Sequence, residues 1–303
     1  MNHMPPDSDN AVRGGNQRWP LRLLGSLLWF ALAAMPLAQA QDAASLRSRH
    51  AELRDSLAHN PFQRPIHLES TENASDLKGD IYAVIEQPFG VVGPALQGAV
   101  HWCEILFLHL NVKQCRAVSA AGGDRLALVA GSKHDQALVD AYRFEFAYQQ
   151  ATPTPDYVQM ALTAEHGPMG TSHYRIGLEV VALDAGRSFL HLSYGYEYGT
   201  TARLAMQVYL ATLGRKKVGF SVVGNQPNGQ PKYIGGTRGV VERNTMRYYL
   251  AIDAFLGALS EPAPRQLDAR LNAWFAGVER YPVQLHELER GEYMALKRGQ
   301  LQP

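Results

Sequence analysis

The sequence lacks an excess of charge of either sign. Its 303 residues include 29 lysines and arginines and 28 aspartates and glutamates, which gives a formal net charge of +1. The first 40 residues hold three of the basic and two of the acidic residues, so residues 41–303 are balanced at 26 of each. Binding to nucleic acid through its phosphates requires a basic stripe, and this balance does not suggest one. We therefore predict no nucleic-acid partner.

Sequence motifs for catalysis, nucleotide binding and metal binding are also missing. Neither a G-x-S-x-G nucleophile elbow nor an H-E-x-x-H zinc motif is present. The run Gly235–Gly239 lacks the strand–loop–helix context and the Lys-Ser/Thr ending of a phosphate-binding loop. His286 and Glu287 are adjacent, without the spacing that metal ligands use. The sequence therefore predicts no catalytic residue, no metal and no cofactor.

The sequence has one long apolar run, which lies near its N-terminus. Leu23–Leu37 is about 15 residues long, short of the ~20 that a membrane-spanning helix needs. Three arginines precede this run, and Ala38–Ala40 follows it with the small-x-small pattern of a signal-peptidase site. We predict that residues 1–40 are a signal peptide cleaved before Gln41, and that the protein is periplasmic or secreted. An uncleaved membrane anchor is the alternative.

Cysteine is nearly absent, and the two cysteines lie close together in the sequence. In an oxidising compartment, the pair Cys103 and Cys115 is interpreted as a disulfide. The two Cα atoms of a disulfide lie within ~7 Å, whereas a continuous strand between them would span about 40 Å. The chain must therefore reverse between them, and we place the reversal at His109–Asn111. Two free thiols serving a metal or catalysis are the alternative, although no nearby histidine has metal-ligand spacing.

The first third of the residues after the signal is predicted to contain helices and one strand. Leucines at helical spacing predict a helix over Ser45–Leu57, and Phe62–Ser75 is predicted to be irregular. Alternating apolar residues predict a strand over Asp80–Glu86. Two short helices, separated at Gly98, are expected within Phe89–Ile105.

A series of strands follows, joined by short segments rich in glycine and proline. The predicted strands are Lys113–Ser119, Arg125–Ala130, Tyr142–Tyr148, Tyr157–Ala164, Tyr174–Leu183 and Ser188–Tyr198. Strands at this spacing indicate an antiparallel meander. The last of them places Leu190, Leu192, Tyr194, Tyr196 and Tyr198 on one face, which we assign to the concave interior.

The C-terminal part is predicted to be mainly helical. We expect a helix at Thr200–Gly214, a glycine-rich hairpin within Val218–Gly239, a helix at Thr245–Leu259 capped by Asn244, and tail helices within Leu267–Phe275 and Leu285–Lys297. The first of these helices carries the apolar stripe Leu204, Val208 and Ala211. The order of elements predicts an α+β fold, in which a curled antiparallel sheet surrounds a long C-terminal helix and can enclose a cavity.

These elements resemble the START-like, helix-grip superfamily of lipid-transfer domains, polyketide cyclases and plant hormone or allergen binders. The resemblance rests on the opening strand with Pro88-Phe89, on Trp102 after the helix pair, on the run of strands, and on the late long helix. The chain also resembles secreted proteobacterial START-like proteins without assigned activity, through Trp102-Cys103, His109–Lys113, Gly167–Thr171, Phe189–Gly199 and Arg243–Leu250. No invariant catalytic signature comes with this resemblance.

The sequence patterns, together with a resemblance that covers roughly Asp80–Leu259, predict a division of the chain into four parts. Residues 1–40 are the signal peptide, 41–79 an N-terminal helix and linker, 80–260 the START-like domain, and 261–303 a helical tail. The chain departs from a minimal START-like domain in having two late helices and extensions at both ends. These departures leave open which late helix the sheet grips.

Three groups of residues are candidate ligand contacts. Tyr194, Tyr196 and Tyr198 offer flat apolar surfaces with polar tips, which suit a hydrophobic ligand that carries oxygens, although core packing is the alternative. His109 and Asn111 could form a polar cluster at a cavity mouth, or could satisfy backbone groups in their turn. Arg243 and Arg247, placed at a helix start, could bind a carboxylate or phosphate. Their alternative is an ion pair with Glu242, Glu179 or Glu197.

The predicted function is binding of a hydrophobic small molecule or lipid by an exported START-like protein. An enzyme of polyketide cyclase or hydrolase type, with His109 or a tyrosine as general acid/base, is one alternative. A structural partner in an envelope complex, with its cavity filled by side chains, is the other. The segment Trp274–Met294 mixes aromatic and charged residues and is predicted to pack against the domain, with peripheral contact to a membrane surface as the alternative.

Overall fold

The computed structural model describes residues 43–212 and 214–301, so the predicted signal peptide and its cleavage site lie outside the described residues. The helices are α1 (Ala43–Glu52), α2 (Arg54–Ala58), α3 (Phe89–Ala95), α4 (Ala99–Phe107), α5 (Thr200–Ala211), α6 (Gly236–Gly257), α7 (Ala263–Val278), α8 (Pro282–Leu285) and α9 (Arg290–Gly299). The strands are β1 (Ile66–Asn73), β2 (Asp76–Ile85), β3 (Val112–Ala120), β4 (Gly123–Ala130), β5 (Tyr142–Gln150), β6 (Tyr157–His166), β7 (Thr171–Ala182), β8 (Ser188–Tyr198), β9 (Val222–Asn225) and β10 (Pro231–Tyr233).

Eight strands form one curled antiparallel sheet in the order β1-β2-β8-β7-β6-β5-β4-β3. The predicted meander from β3 to β8 is confirmed, and the pairing of β8 with β2 extends the sheet to its edge strand β1. The prediction that Phe62–Ser75 is irregular was wrong, because β1 lies within it and forms an edge of the sheet. Only Ile66 and Leu68 are apolar in β1, since an edge strand is half solvated.

The two faces of the sheet are covered by different helices. On the concave face, Leu190, Leu192 and the three tyrosines of β8 are buried in the main core together with residues of α6. On the convex face, α1 and α2 cover a second cluster around Tyr82, Val181 and Phe189. The predicted α+β helix-grip fold is therefore confirmed, with α6 as the long helix that the sheet surrounds.

Helix α6 begins nine residues before its predicted start at Thr245. It starts at Gly236, so Asn244 lies inside the helix and the prediction that it caps the helix was wrong. The glycines of residues 235–239 led to the prediction of a turn. Gly239 instead lets α6 pack closely against the backbone of the segment that contains Gly219. An added Cβ at Gly239 would lie 3.1 Å from the backbone nitrogen of Gly219. The glycine-rich hairpin is confirmed, although it ends with β10 at Tyr233.

The predicted apolar stripe of α5 does not face the core. The side chains of Leu204 and Val208 are 63% and 58% exposed, while Ala202 is buried. Helical spacing alone cannot say which of two apolar faces packs against the domain. Helix α5 therefore presents an aliphatic surface to solvent.

The C-terminal tail packs against the domain. Trp274 of α7 and Tyr293 of α9 are buried and stacked, with ring centroids 4.9 Å apart. The indole of Trp274 also donates a hydrogen bond to the carbonyl oxygen of Arg247 in α6. The tail aromatics thus belong to the core, which is the packing alternative predicted for this segment. In residues 43–301, as far as they are described, we find no helix with the length and apolarity needed to cross a membrane.

Candidate functional site

The tyrosine-rich face of β8 is an aromatic cluster. Tyr194 and Tyr196 are each 4% exposed. The ring of Tyr196 stacks on Tyr174 at 5.1 Å, and that of Tyr194 lies 5.1 Å from Tyr248 of α6. Burial raises the pKa values of the Tyr194 and Tyr196 hydroxyls, so both stay neutral. Side chains of the sheet and α6 therefore fill the interior at this end of β8.

Tyr198 and the turn after α4 are held by local hydrogen bonds. Tyr198 donates from its hydroxyl to Glu72 at 3.0 Å. The backbone nitrogen of Asn111 donates to Nδ1 of His109, and the Asn111 side chain donates to the carbonyl oxygen of Gly131. Burial, together with nearby Arg247 and Lys297, holds the pKa of His109 well below its usual value. The imidazole of His109 is therefore neutral and fixed in the predicted turn.

Arg247 belongs to an ionic cluster that the sequence did not suggest. Its guanidinium donates to Oε1 of Glu287 at 2.9 Å, and Lys133 and Lys217 contact the same carboxylate at 2.5 and 3.1 Å. Arg243 donates to the carbonyl oxygen of Val218. We call Lys133, Lys217, Arg247 and Glu287 the Glu287 cluster. None of the three predicted glutamates is the partner of Arg247, and both arginines lie inside α6 rather than at its start.

The Glu287 cluster concentrates positive charge around one carboxylate. Burial acts to raise the pKa of Glu287, but Lys133, Arg247 and Lys217 outweigh it and lower that pKa to about 2. Burial and the charge of Arg247 lower the pKa of Lys133 to about 8, against the opposing effect of Glu287. The cluster joins α6 to the loop after β4, the segment after α5 and the segment before α9. It therefore acts as an electrostatic connection between four parts of the fold.

A cleft of about 1340 Å³ lies between α4, the strands β3 to β5, α7 and the end of α9. It is lined by Val100, Cys103, Glu104, Phe107, Gln114, Cys115, Arg116, Ala117, Ala127, Leu128, Val129, Arg143, Phe144, Glu145, Ala263, Gln266, Leu267, Arg270, Gln300 and Leu301. We call this the α4–α7 cleft. Both cysteines line it, whereas none of the seven predicted ligand residues does.

The α4–α7 cleft combines apolar walls with a fixed ion pair. Phe107, Leu128 and Phe144 supply apolar surface from α4, β4 and β5. Arg270 of α7 donates to Glu104 of α4 at 2.7 Å, and its guanidinium lies 4.3 Å from the ring centroid of Phe255. The cleft can therefore bury an apolar body beside a charged group of fixed position.

Cys103 of α4 and Cys115 of β3 form a disulfide in one wall of this cleft, with their Cα atoms 5.1 Å apart. The chain reverses between them at the predicted turn. In the described part of the chain, we find no group of three or more histidine, cysteine, aspartate or glutamate side chains placed to hold a metal ion.

Reduction of the disulfide is expected to lower the free energy of unfolding by about 3 kcal/mol, because the bond restricts the unfolded chain. Urea unfolding of the oxidised protein, and of protein reduced and alkylated, would measure the difference. The matched Cys103→Ser, Cys115→Ser double variant should behave like the reduced protein and should not respond to reductant. Two alkylatable thiols in unreduced protein after export would contradict the assignment.

A second charged cluster, centred on His191 of β8, lies on the convex face of the sheet. The imidazole of His191 contacts Asp80 at 2.8 Å through Nε2 and Glu179 at 3.1 Å through Nδ1. Its ring stacks on Tyr82 with 4.3 Å between centroids. Burial acts to lower the pKa of His191, but the two carboxylates raise it. Its acidic partners come from two other strands, Asp80 from β2 and Glu179 from β7.

Comparison with known proteins finds solved structures of low sequence identity. No protein-family model and no curated protein sequence matches the chain. Solved structures that match include human StAR-related lipid transfer protein 5 (11% identity, 56% of this chain and 89% of that chain, TM-score 0.30) and truncated norcoclaurine synthase from Thalictrum flavum (10% identity, 46% and 87%, TM-score 0.31). Another is the Zhui aromatase/cyclase from a Streptomyces species (12% identity, 71% and 95%, TM-score 0.28).

These matches are of the kind that the sequence resemblance implied. At such low identity and TM-score they carry no argument about activity or ligand. The sheet order and the position of α6 identify the fold. The chain is an α+β protein with the START-like, helix-grip fold.

Proposed function

We propose that the protein binds a hydrophobic small molecule or lipid in the α4–α7 cleft. The observation that carries this proposal is the cleft itself. Its volume of about 1340 Å³ is larger than the roughly 300–1,000 Å³ typical of small-molecule sites. An elongated ligand such as an acyl chain fits this volume and the apolar walls formed by Phe107, Leu128 and Phe144.

Affinity in such a site comes mainly from burial of apolar surface, at about 25 cal/mol per Å² before the costs of association. The charged side chains at the cleft supply orientation. Arg270 is buried and paired with Glu104, while Arg116 and Arg143 are exposed. The strand register places Arg116 and Arg143 on the sheet face opposite to Leu128 and Phe144. A ligand whose apolar part lies against these walls could therefore place a polar or anionic end beside Arg270.

The geometry favours binding over catalysis. His109, the sequence-based candidate for a general acid/base, does not line the cleft and is held neutral in a turn. The neutral, buried Tyr194 and Tyr196 pack against other aromatic rings. A structural role with a completely filled interior fits the aromatic cluster but not the adjacent cleft. Binding without turnover is therefore the function that we put forward.

Export remains part of the proposal. Its support is the signal-like pattern of residues 1–40, together with the cysteine pair that forms a disulfide. Disulfides persist in oxidising compartments such as the periplasm or the exterior of the cell. Protein purified after export is expected to have the intact mass of residues 41–303.

Ligand binding is expected to be saturable for at least one class of apolar probe. Delipidated protein would be titrated with a fluorescent fatty acid, a fluorescent phospholipid and a fluorescent sterol. Ala117 of β3 lines the cleft, so Ala117→Trp should obstruct part of it and weaken binding by about tenfold or more. The matched control is Ala147→Trp, which adds the same side chain at an exposed position of β5 outside the cleft.

Three results would contradict this proposal. The first is the absence of saturable binding for every probe class. The second is equal affinity of the Ala117→Trp and Ala147→Trp variants, which would place the ligand elsewhere. The third is turnover of an added ester that is lost on His109→Ala, which would favour the enzyme alternative.

A further inference from the structure

An exposed aliphatic surface is formed by α5 and the loop between β6 and β7. Leu204 and Val208 lie one helical turn apart on the same face of α5, and both are more than half exposed. The short turn Pro168–Gly170 packs against α5 and presents Met169, which is 56% exposed. We call Met169, Leu204 and Val208 the α5 surface. Neighbouring apolar side chains left in water at such positions commonly mark an interaction site.

The segment that contains α5 has no acidic residue. Between Glu197 and Glu242 the chain carries no aspartate or glutamate, and its basic residues there are Arg203, Arg215, Lys216, Lys217, Lys232 and Arg238. The rest of residues 41–303 therefore has 20 basic and 26 acidic residues. The balanced charge of residues 41–303 is therefore the sum of a basic segment between Glu197 and Glu242 and an acidic remainder.

Several of these basic side chains are free to meet a partner. Arg215, Lys216 and Lys232 are exposed, and no carboxylate in the described part of the chain forms an ion pair with them. Lys217, in contrast, is held by Glu287. Arg215 and Lys216 come four and five residues after the end of α5 at Ala211, so exposed positive charge follows the C-terminal turn of that helix closely in the sequence.

We propose that the α5 surface docks on an anionic phospholipid bilayer. Aliphatic side chains such as Leu204 and Val208 gain by entering the boundary between headgroups and acyl chains. The exposed Arg215 and Lys216, in the segment that follows α5, gain by approaching anionic headgroups, an attraction that salt screens. A protein partner would require a complementary acidic and apolar surface, whereas a bilayer of anionic lipid supplies both properties without a specific shape. This inference is independent of the ligand proposed for the α4–α7 cleft.

Vesicle flotation tests the proposal directly. The exported protein, with its N-terminus established by mass spectrometry, would be mixed with vesicles of phosphatidylglycerol and phosphatidylcholine or of phosphatidylcholine alone. Binding to the anionic vesicles is expected, with a loss of about tenfold or more between about 0.1 M and about 0.5 M salt. Vesicles of phosphatidylcholine alone should bind much more weakly.

Variants with matched controls locate the surface. Leu204→Glu combined with Val208→Glu should weaken vesicle binding by about tenfold or more, because two carboxylates would face the anionic bilayer. The control is Val139→Glu, since Val139 is an 85% exposed aliphatic residue away from α5. Arg215→Gln with Lys216→Gln should reduce the salt dependence. All these side chains are exposed, so unchanged thermal unfolding would verify that the variants fold.

Four outcomes would overturn the inference. They are no binding of the wild type to anionic vesicles, equal binding to both kinds of vesicle, unchanged binding by the Leu204→Glu, Val208→Glu variant, and self-association of the wild type that this variant abolishes. If an apolar leader were still attached to the chain and held it on the vesicles, the Leu204→Glu, Val208→Glu variant would bind as well as the wild type. That result is the third outcome. The Ala117→Trp variant should still bind vesicles. Failure of the cleft proposal can therefore be distinguished from failure of the bilayer proposal.

Discussion

Replacing Glu287 by glutamine is expected to lower the free energy of unfolding by roughly 3–5 kcal/mol, because it removes a carboxylate that contacts three basic side chains. The Arg247 side chain is 2% exposed, so its charge would remain buried without a counter-ion. Glutamine keeps the size of the side chain and can still accept hydrogen bonds, which isolates the effect of charge. Urea unfolding at neutral pH would measure the loss.

The same substitution should change how stability depends on pH. The pKa of Glu287 is lowered from 4.5 to about 2, so its stabilising contribution is complete above 4.5 and is lost as the pH falls toward 2. The Glu287→Gln variant should lack this part of the acid transition. Glu86→Gln serves as the control, since Glu86 is an exposed residue directly after β2. Equal stability of the two variants, or an unchanged acid profile for Glu287→Gln, would show that the Glu287 cluster contributes little.

Replacing either central tyrosine of β8 by alanine should lower the free energy of unfolding about as much as Glu287→Gln does. Tyr194→Ala and Tyr196→Ala are each expected to lower the free energy of unfolding by roughly 3–5 kcal/mol. Each ring packs against other aromatic rings in the concave interior, so its removal leaves a cavity that the sheet and α6 cannot readily close. Thermal and urea unfolding of the purified variants would measure the loss.

Two matched variants separate packing from the hydroxyl group. Tyr142→Ala removes a tyrosine of β5 that is 48% exposed, and should change stability by only about 0.5 kcal/mol. Tyr194→Phe keeps the ring and should cost much less than Tyr194→Ala. If the alanine variants at 194 and 196 unfold like the wild type, the assignment of these side chains to the interior is wrong.

Much of the sheet could be predicted because alternation is a local property of the sequence. Strand β8 has the predicted bounds, and its tyrosine face is buried as its parity required. Strand β1 was missed because its inward position at Ser70 is polar. The Ser70 hydroxyl donates to the buried carboxylate of Glu242 in α6 at 2.6 Å. A hydrogen bond across 172 residues leaves no periodic signal in either segment.

The candidate site was harder to predict because its parts are distant in the sequence. The two cysteines indicated one contact of the α4–α7 cleft, but Leu267 and Arg270 come from a tail that no pattern connects to α4. The Glu287 cluster joins Lys133, Lys217 and Arg247 to a carboxylate that lies 154 residues from Lys133. The turn at His109–Asn111 was predictable, since disulfide geometry alone required a reversal.

The unequal cover of the sheet divides the protein into a rigid half and a compliant half. Strands β2 and β8 are buried almost throughout, since α1 and α2 lie on one face and α6 on the other, whereas β3 and β5 expose many residues. Regions with little buried apolar surface open locally at low free-energy cost. The walls of the α4–α7 cleft can therefore open transiently while the centre of the sheet stays folded. The disulfide keeps α4 attached to β3 during such openings, so a guest molecule could enter without global unfolding.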